Sequence, residues 1–511
     1  MSAPAPPALS ARIAGILLHV SSLPGRFGIG DLGPGAVTFL DWAARAGQSL
    51  WQVLPLAPTG GGHSPYGGSS AFAGNPLFLS PERLAAEGWL SESDFAAEDA
   101  GARSGGVDFS RVGPWKETVL RTAWGRFADR ADGEARLAFE RFRSAPEQAA
   151  WLDDWCLFDA LHRRAGGAPW NSWEAGLAER DPASLARARR ELAEEVAYSG
   201  WIQFQFDRQW GIVRREARAR GISILGDLPI YVAHDSADVW AHRELFALDA
   251  EGRPARIAGV PPDYFSETGQ LWGYPVYRWD ANAAEGYAWW IERLRANLRL
   301  TDAVRIDHFR GFASYWEVEA GESTAVRGRW AAGPGRDLFD AARRALPALP
   351  LVAEDLGTIT PDVSALLDEL GIPGMKVLQF AFSEEDSPHL PHRHSENAVA
   401  YTGTHDNDTS RGWAAALTDS ERERFRLYTG EDPVSAAALI RLAGASVARM
   451  AIVPLQDVLD LPSEARMNTP GRPAGNWSWR SAAADLTAER AAWLLRLARL
   501  TGRAPGAAKK S

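Results

Sequence analysis

Short apolar segments of this sequence run directly into carboxylic acids at several places. The acids are Asp227 in GDLP, Asp307 in RIDHFRG, Glu354 in AEDLG and Asp406 in THDN. An ionised carboxylate at the end of an apolar strand is costly unless it has a partner or a task. One such acid is readily explained as a helix cap or as half of an ion pair, but a set at equivalent strand ends indicates a reactive site.

Two of these acids have surroundings that predict different protonation states. Arg305 and Asp307 are two residues apart, so their side chains share one face of a strand, and the guanidinium is expected to keep Asp307 ionised. Glu354 has no basic neighbour in sequence and follows an apolar run, which is expected to raise its pKa. One charged and one protonated carboxyl are what a nucleophile and a general acid require.

Two reaction classes use acids at such strand ends. Glycosyl transfer uses one carboxylate as nucleophile or base and another as general acid. Metal-assisted proton abstraction uses several acids as Mg²⁺ ligands, with a Lys or His base. Because Arg305 accompanies Asp307 and no lysine follows these segments, glycosyl transfer is favoured and a metal-dependent lyase stays as an alternative.

Aromatic side chains are concentrated in residues 259–273, with the sequence GVPPDYFSETGQLWG. The proline and glycine residues predict a segment without regular structure, so Tyr264, Phe265 and Trp272 are expected to be exposed. Exposed rings can stack on the apolar faces of a sugar while Gln270 meets its hydroxyls, although a small core under the loop is the alternative. Further candidate sugar contacts on loops are Ser64, Tyr66 and Asn468.

The acids would be positioned by a barrel of parallel strands. Apolar runs bounded by turn residues occupy 15–20, 50–54, 222–227, 303–307, 351–354, 375–380, 398–402 and 450–455. Continuous apolar runs separated by helical patterns are typical of strands buried on both faces. The sequence therefore predicts the α/β class and a (β/α)₈ TIM barrel, in which active sites lie at the carboxyl ends of the strands.

The spacing of these runs predicts large insertions. Residues 1–75 would begin the barrel with strands one and two, and 76–200 would form an inserted, mainly helical subdomain. Residues 201–500 would complete the barrel, with inserted loops at 245–279 and 311–336. The last residues, 501–511, are small and polar and predict a flexible tail.

Composition limits the remaining functions. The chain has 511 residues, a formal net charge of −10, 22 tryptophans and one cysteine. An acidic protein is a poor match for nucleic acid or an anionic membrane, and no run is long enough to span a bilayer. The apolar segment near residue 13 is interpreted as a strand rather than a signal peptide, which predicts a cytoplasmic protein.

No cofactor is expected from these motifs. A glycine-rich dinucleotide fingerprint does not follow any of the predicted strands. His389, His392 and His394 lie close together in a proline-containing segment, and a metal site there is not favoured.

Several segments together resemble a known family. They are SPY at 64–66, GDLPIYV at 226–232, residues 259–273, VRIDHFRG at 304–311, AEDLG at 353–357, THDN at 404–407 and RMNTPG at 466–471. In this order they are similar to the 4-α-glucanotransferases of glycoside hydrolase family 77, the amylomaltases or disproportionating enzymes. The resemblance extends over nearly the whole chain.

The resemblance implies an α-amylase-like barrel that acts on α-1,4-glucans and maltooligosaccharides by a retaining double displacement. By this match Asp307 is the nucleophile, Glu354 the acid/base and Asp406 the acid that stabilises the transition state. Arg305 and His405 match companions that contact the nucleophile and the reacting sugar. The other matched sugar contacts are Asp227, Ser64, Tyr66, Gln270, Trp272 and Asn468.

The sequence departs from the family pattern at two places. Gly61-Gly62-His63 precede Ser64 where Tyr-Gly-Asp is common, and Tyr274 stands where Asn is usual. A retaining α-glucan hydrolase with the same acids and a non-catalytic glucan-binding protein stay as alternatives. The sequence does not fix the oligomeric state.

Overall fold

The computed structural model describes residues 11–96, 105–262, 266–472 and 474–505. The strands of this part are β1 Ile13–Leu17, β2 Leu50–Gln52, β3 Ser223–Leu228, β4 Arg256–Val260, β5 Gln270–Pro275, β6 Ala303–Ile306, β7 Ser314–Glu319, β8 Gly328–Ala332, β9 Leu351–Ala353, β10 Gly374–Val377, β11 Ala398–Tyr401 and β12 Met450–Pro454.

Eight of these strands form one parallel sheet in the order β10-β11-β12-β1-β2-β3-β6-β9. The sheet curls until its ends meet, because the N–H of Ala353 in β9 donates to the carbonyl of Pro373, just before β10, at 2.9 Å. Each predicted apolar run overlaps one strand of this barrel, so the predicted (β/α)₈ architecture is confirmed. Apolar side chains such as Leu225, Val352 and Ile452 fill the interior.

Helices connect the strands. Their bounds are α1 Pro34–Arg45, α2 Pro81–Ala86, α3 Phe109–Arg130, α4 Gly133–Arg143, α5 Leu152–Arg164, α6 Ala175–Ala178, α7 Pro182–Glu191, α8 Ala193–Ala219, α9 Ala237–Ala241, α10 Trp279–Ala284, α11 Ala288–Leu300, α12 Arg336–Ala345, α13 Pro361–Leu370, α14 Ser410–Ala416, α15 Asp419–Thr429, α16 Ala436–Ala445, α17 Leu455–Val458 and α18 Ala488–Leu500. Local signals set several ends: Thr487 caps α18 by accepting from the N–H of Arg490, and Gly371 ends α13 with φ of 66°.

The long connection between β2 and β3 is helical, from α2 to α8. Its aromatic side chains, including Phe127, Phe139 and Trp201, belong to the same apolar core as Trp42 and Trp51 beside the barrel. The predicted boundary at residue 200 falls inside α8, which continues without a break to Ala219. The inserted helices therefore share an element and a core with the barrel.

A second sheet corrects the expectation for residues 259–273. It is antiparallel, with four strands in the order β5-β4-β7-β8. β4 ends at Val260 and β5 begins at Gln270, so much of the segment expected to be irregular is a hairpin. A Cβ on Gly259 would lie 2.3 Å from the carbonyl oxygen of Gln270, so a glycine permits this pairing. The insertions at 245–279 and 311–336 thus combine in one sheet.

The predicted flexible tail does not begin at residue 501. Arg503 is 1 % exposed, and its guanidinium donates to main-chain carbonyls at distances of 2.8 to 3.0 Å. The acceptors belong to Ile13, Gly444, Ser446, Ala448 and Arg449. Residues 501–505 are therefore fixed to β1 and to the segment between α16 and β12, while 506–511 lie outside the described residues.

Among the described residues, no helix is long and apolar enough to cross a membrane. The cytoplasmic location stays a prediction.

Arg503→Ala is expected to lower the free energy of unfolding by about 3 kcal/mol, because it removes the hydrogen bonds that a buried guanidinium donates to five main-chain carbonyls. Chemical denaturation measures this change. Arg499→Ala, at an exposed position of α18, is the matched control and should change stability by less than about 0.5 kcal/mol. Equal stability of the two variants would contradict the structural role of Arg503.

Candidate active site

The barrel brings the predicted acids to one rim. Asp227 lies in β3, and Asp307, Glu354 and Asp406 follow β6, β9 and β11 at their carboxyl ends. Strands β3, β6 and β9 are neighbours in the sheet, and Asp227 is in register with Arg305. The same end of the barrel therefore carries all four acids, as the parallel topology requires.

Arg305 is the centre of a buried charge network. Its Nη1 lies 2.7 Å from both carboxylate oxygens of Asp227, and its Nη2 lies 3.1 Å from Oδ1 of Asp307. The hydroxyl of Tyr66 donates to Asp227 at 2.7 Å. The Asp227 side chain is 0 % exposed. Asp227 is therefore an enclosed partner of Arg305 and Tyr66, and its role as a sugar contact stays a prediction.

The pKa of Asp307 differs from the sequence-based expectation. Burial raises the pKa of Asp307, and the charge of Arg305 opposes that rise without overcoming it. The physical reason is that burial outweighs the charge of Arg305, and the charges of Glu354, Asp227 and Asp406 raise the pKa of Asp307 further. The expectation that Arg305 alone keeps Asp307 fully ionised was wrong.

Glu354 is fixed by main-chain donors beside Asp307. Its Oε2 accepts from the N–H of His308 at 2.6 Å and its Oε1 from the N–H of Leu356 at 3.1 Å. The N–H of Phe309 donates to the Glu354 carbonyl at 3.1 Å. Burial raises the pKa of Glu354, as the apolar run before it predicts. The Glu354 carboxyl is thus hydrogen-bonded to His308, the residue that follows Asp307, and both acids lie in one site.

His308 adopts an uncommon backbone conformation that makes this contact possible. Its φ and ψ are 48° and 50°, in the left-handed region that few residues other than glycine occupy. The turn directs the His308 N–H at Glu354, and the imidazole meets the Trp272 ring edge-on at a centroid distance of 4.8 Å. No pattern in the sequence indicates this conformation.

Asp406 has a strongly polar environment. Burial acts to raise its pKa, but the charge and hydrogen bond of His405 and the hydrogen bond from Asn468 lower the pKa to about 2. His405 Nε2 lies 3.3 Å from Oδ2 of Asp406, and Asn468 Nδ2 donates to Oδ1 at 2.6 Å. Burial acts to lower the pKa of His405, and Asp406 raises it overall. Asp406 is therefore an ionised carboxylate that raises the pKa of its neighbour His405.

Aromatic and polar side chains surround the acids. The rings of Tyr66 and His405 stack at a centroid distance of 5.0 Å, and Ser64 Oγ accepts from the N–H of Tyr66 at 3.3 Å. Trp272 Nε1 donates to Oε1 of Gln270 at 3.3 Å.

The predicted contacts Tyr264 and Phe265 lie outside the described residues. Two further residues were not predicted: Arg466 donates to the main-chain carbonyl of Asp406, and the Tyr274 hydroxyl lies 2.9 Å from where a Cβ on Gly67 would stand.

The described residues contain no group of three or more His, Cys, Asp or Glu side chains arranged to hold a metal ion. The clustered histidines have other partners. His394 lies 2.7 Å from Ser446 Oγ and 2.9 Å from the His389 carbonyl, and His389 Nδ1 accepts from the N–H of Val377 at 3.1 Å. These contacts position the loop between β10 and β11.

Comparison with known proteins agrees with this geometry. A family model described as 4-alpha-glucanotransferase, Glyco_hydro_77, matches residues 18–485. A 4-alpha-glucanotransferase of Thermus thermophilus is 49 % identical over 96 % of this chain and 99 % of its own length. The chloroplastic/amyloplastic 4-alpha-glucanotransferase of Solanum tuberosum is 46 % identical over 92 % of this chain and 82 % of its own.

A solved structure gives the same result. The amylomaltase from Streptococcus agalactiae in complex with acarbose has a TM-score of 0.93 and 36 % identity, covering 96 % of this chain and all of its own. Since the family model spans most of the sequence and the relatives match over nearly their full length, the chain belongs to the 4-alpha-glucanotransferase family, glycoside hydrolase family 77.

Proposed function

We propose that this chain transfers segments of α-1,4-glucan from a donor to the 4-hydroxyl of an acceptor by a retaining double displacement. The observation that carries the mechanism is the pairing of Asp307 with Glu354, whose carboxyl accepts the N–H of the very next residue, His308. The substrate class is supported by the relatives named as 4-alpha-glucanotransferases and by the acarbose complex of the streptococcal amylomaltase.

In the first step Glu354 gives its proton to the glycosidic oxygen. Asp307 attacks the anomeric carbon, the bond to the leaving glucan breaks, and a covalent glucosyl ester forms on Asp307. The electrons of the broken bond remain on the oxygen that receives the proton. The N–H groups of His308 and Leu356 then stabilise the carboxylate that Glu354 becomes.

In the second step Glu354 removes the proton from the 4-hydroxyl of the acceptor. That oxygen attacks the anomeric carbon, Asp307 leaves as a carboxylate, and the α-1,4 linkage is restored. Arg305 holds Asp307 in position from 3.1 Å. Asp406, kept ionised by His405 and Asn468, would hold the sugar hydroxyls and stabilise positive charge on the reacting ring.

A retaining α-glucan hydrolase is the nearest alternative, because water in place of the acceptor completes the same cycle. Transfer requires that water be kept from the ester. The β4–β5 hairpin places Trp272 against His308, beside the nucleophile, and supports the transferase. A glucan-binding protein without catalytic activity would not need Asp307 as a nucleophile. The effect of substituting Asp307 therefore distinguishes it from the proposed enzyme.

Incubation with maltotriose should give glucose and a ladder of longer maltooligosaccharides, because each glucosyl ester is resolved by another sugar. Chromatography of the products, together with a reducing-end assay, measures this. Reducing ends should stay nearly constant during the reaction. A rise of one reducing end for each bond broken would assign hydrolysis instead.

Asp307→Asn should lower kcat on maltotriose by roughly 10⁴-fold or more, since the amide is a poor nucleophile and the covalent step is lost. Glucose release measures the rate. Asp419→Asn, which changes an exposed acid in the first turn of α15, is the control and should retain parental activity. Transfer by Asp307→Asn at the parental rate would exclude this residue as nucleophile.

The pH dependence of kcat/KM should be bell-shaped, because catalysis needs one proton on the Asp307–Glu354 pair. Both carboxyls protonate at low pH, and both ionise at high pH. Since burial raises both pKa values, both limbs should lie above the ordinary carboxyl range near pH 4. Initial rates on maltotriose from acidic to alkaline pH measure the limbs. An acidic limb at or below pH 4 would contradict the raised pKa of Asp307.

A further inference from the structure

Trp330 differs from the other tryptophans of the chain. All 22 lie in the described part of the sequence, and Trp330 alone among them is exposed, with 43 % of its surface accessible. Trp51 and Trp316 are buried or half-buried, and their indole N–H groups donate to main-chain carbonyls. The Trp330 N–H has no hydrogen-bond partner within the described ranges.

The exposed ring is held in a fixed position. Trp330 lies on β8, the edge strand of the antiparallel sheet, and pairs across the sheet with Trp316 of β7 at a centroid distance of 5.3 Å. The guanidinium carbon of Arg310 lies 4.0 Å from the centroid of the Trp330 ring. A cation over an aromatic face adds attraction and fixes the orientation of the ring.

Arg310 also connects this ring to the acids. It is 4 % exposed and donates to the main-chain carbonyl of Thr358, four residues beyond Glu354, and to Ser314 Oγ at 3.2 Å. Arg310 itself is three residues beyond Asp307. Trp330 therefore packs against Arg310, which links the loop that carries Asp307 to the loop that carries Glu354.

Polar groups lie next to Arg310, the cation that covers the ring. The Asp362 carboxylate lies 3.5 Å from Ser314 Oγ, which in turn contacts Arg310. An exposed, rigid aromatic surface with an N–H group at its edge matches the alternating apolar faces and hydroxyls of a sugar chain.

We propose that Trp330 is an outlying binding platform for a long α-glucan whose reacting unit lies between Asp307 and Glu354. The inference rests on the proposed function, because the platform adjoins the loops of those two acids. A glucose unit distant from the reacting bond stacks on the exposed part of the indole, and its hydroxyls meet the free N–H. Since Arg310 already holds the ring, little conformational entropy is lost on binding.

The platform predicts an effect that depends on substrate length. Trp330→Ala should raise KM for amylose on the order of tenfold, while kcat/KM for maltotriose, which is too short to reach the platform, changes by less than about twofold. Trp330→Phe, which keeps an aromatic ring, should retain most of the amylose affinity. Tyr428→Ala, which removes a 38 % exposed ring from α15, is the matched control and should leave both substrates unaffected.

Binding without turnover separates this inference from the catalytic mechanism. The Kd for amylose, measured by calorimetry, should be about tenfold higher in Asp307→Asn/Trp330→Ala than in Asp307→Asn. This comparison reports on the platform even if the parent protein hydrolyses maltotriose rather than disproportionating it.

Two results would overturn the platform. An unchanged KM and Kd for amylose in the Trp330→Ala variants would show that no glucan contacts the ring, and would leave the surface to a protein partner. An equal loss of kcat/KM on maltotriose and amylose would show that Trp330 only supports Arg310 and the catalytic loops.

Discussion

The site depends on one guanidinium that is shared between two carboxylates. Arg305 is buried, so its charge must be compensated inside the protein, and Asp227 supplies that compensation with two contacts of 2.7 Å. Asp307 accepts from the other terminal nitrogen, Nη2, at 3.1 Å. Arg305 therefore positions the nucleophile through a single, longer contact. A carboxylate with fewer hydrogen bonds is better able to attack an anomeric carbon.

The opposite arrangement serves Asp406. His405 and Asn468 both contact it, and its pKa falls to about 2. A carboxylate that stays charged through the cycle can stabilise a cationic sugar without taking part in proton transfer. The three acids therefore differ through their neighbours. Asp307 shares Arg305 with Asp227, Glu354 accepts from main-chain N–H groups, and Asp406 contacts His405 and Asn468.

Much of this architecture follows from patterns that a sequence displays. The barrel strands are predictable because strands buried on both faces are continuous apolar runs, and the acids are predictable because they end such runs. The antiparallel sheet is not, because its strands come from two distant insertions and β4 contains glycine where β propensity is low. The local pattern cannot reveal a pairing that depends on the fold of the barrel.

The ion pairs and hydrogen bonds between residues far apart in the sequence could also not be predicted. Arg305 is two residues from Asp307 in sequence, but its closer partner, Asp227, is 78 residues away. Arg503 lies in a polar terminal segment typical of disorder, yet its guanidinium donates to the carbonyls of Ile13 in β1 and Arg449 next to β12. Both cases show that a buried charge is identified by the groups around it rather than by its neighbours along the chain.

The antiparallel sheet has a consequence for how such barrels diversify. Its middle strands, β4 and β7, come from the connections before and after β6, and main-chain pairing joins them directly. If one of these connections were replaced by that of another barrel, the strand of the remaining connection would have no partner, and its main-chain N–H groups would be exposed. The two segments therefore depend on each other structurally, and recombination or grafting is expected to succeed only when both are transferred together.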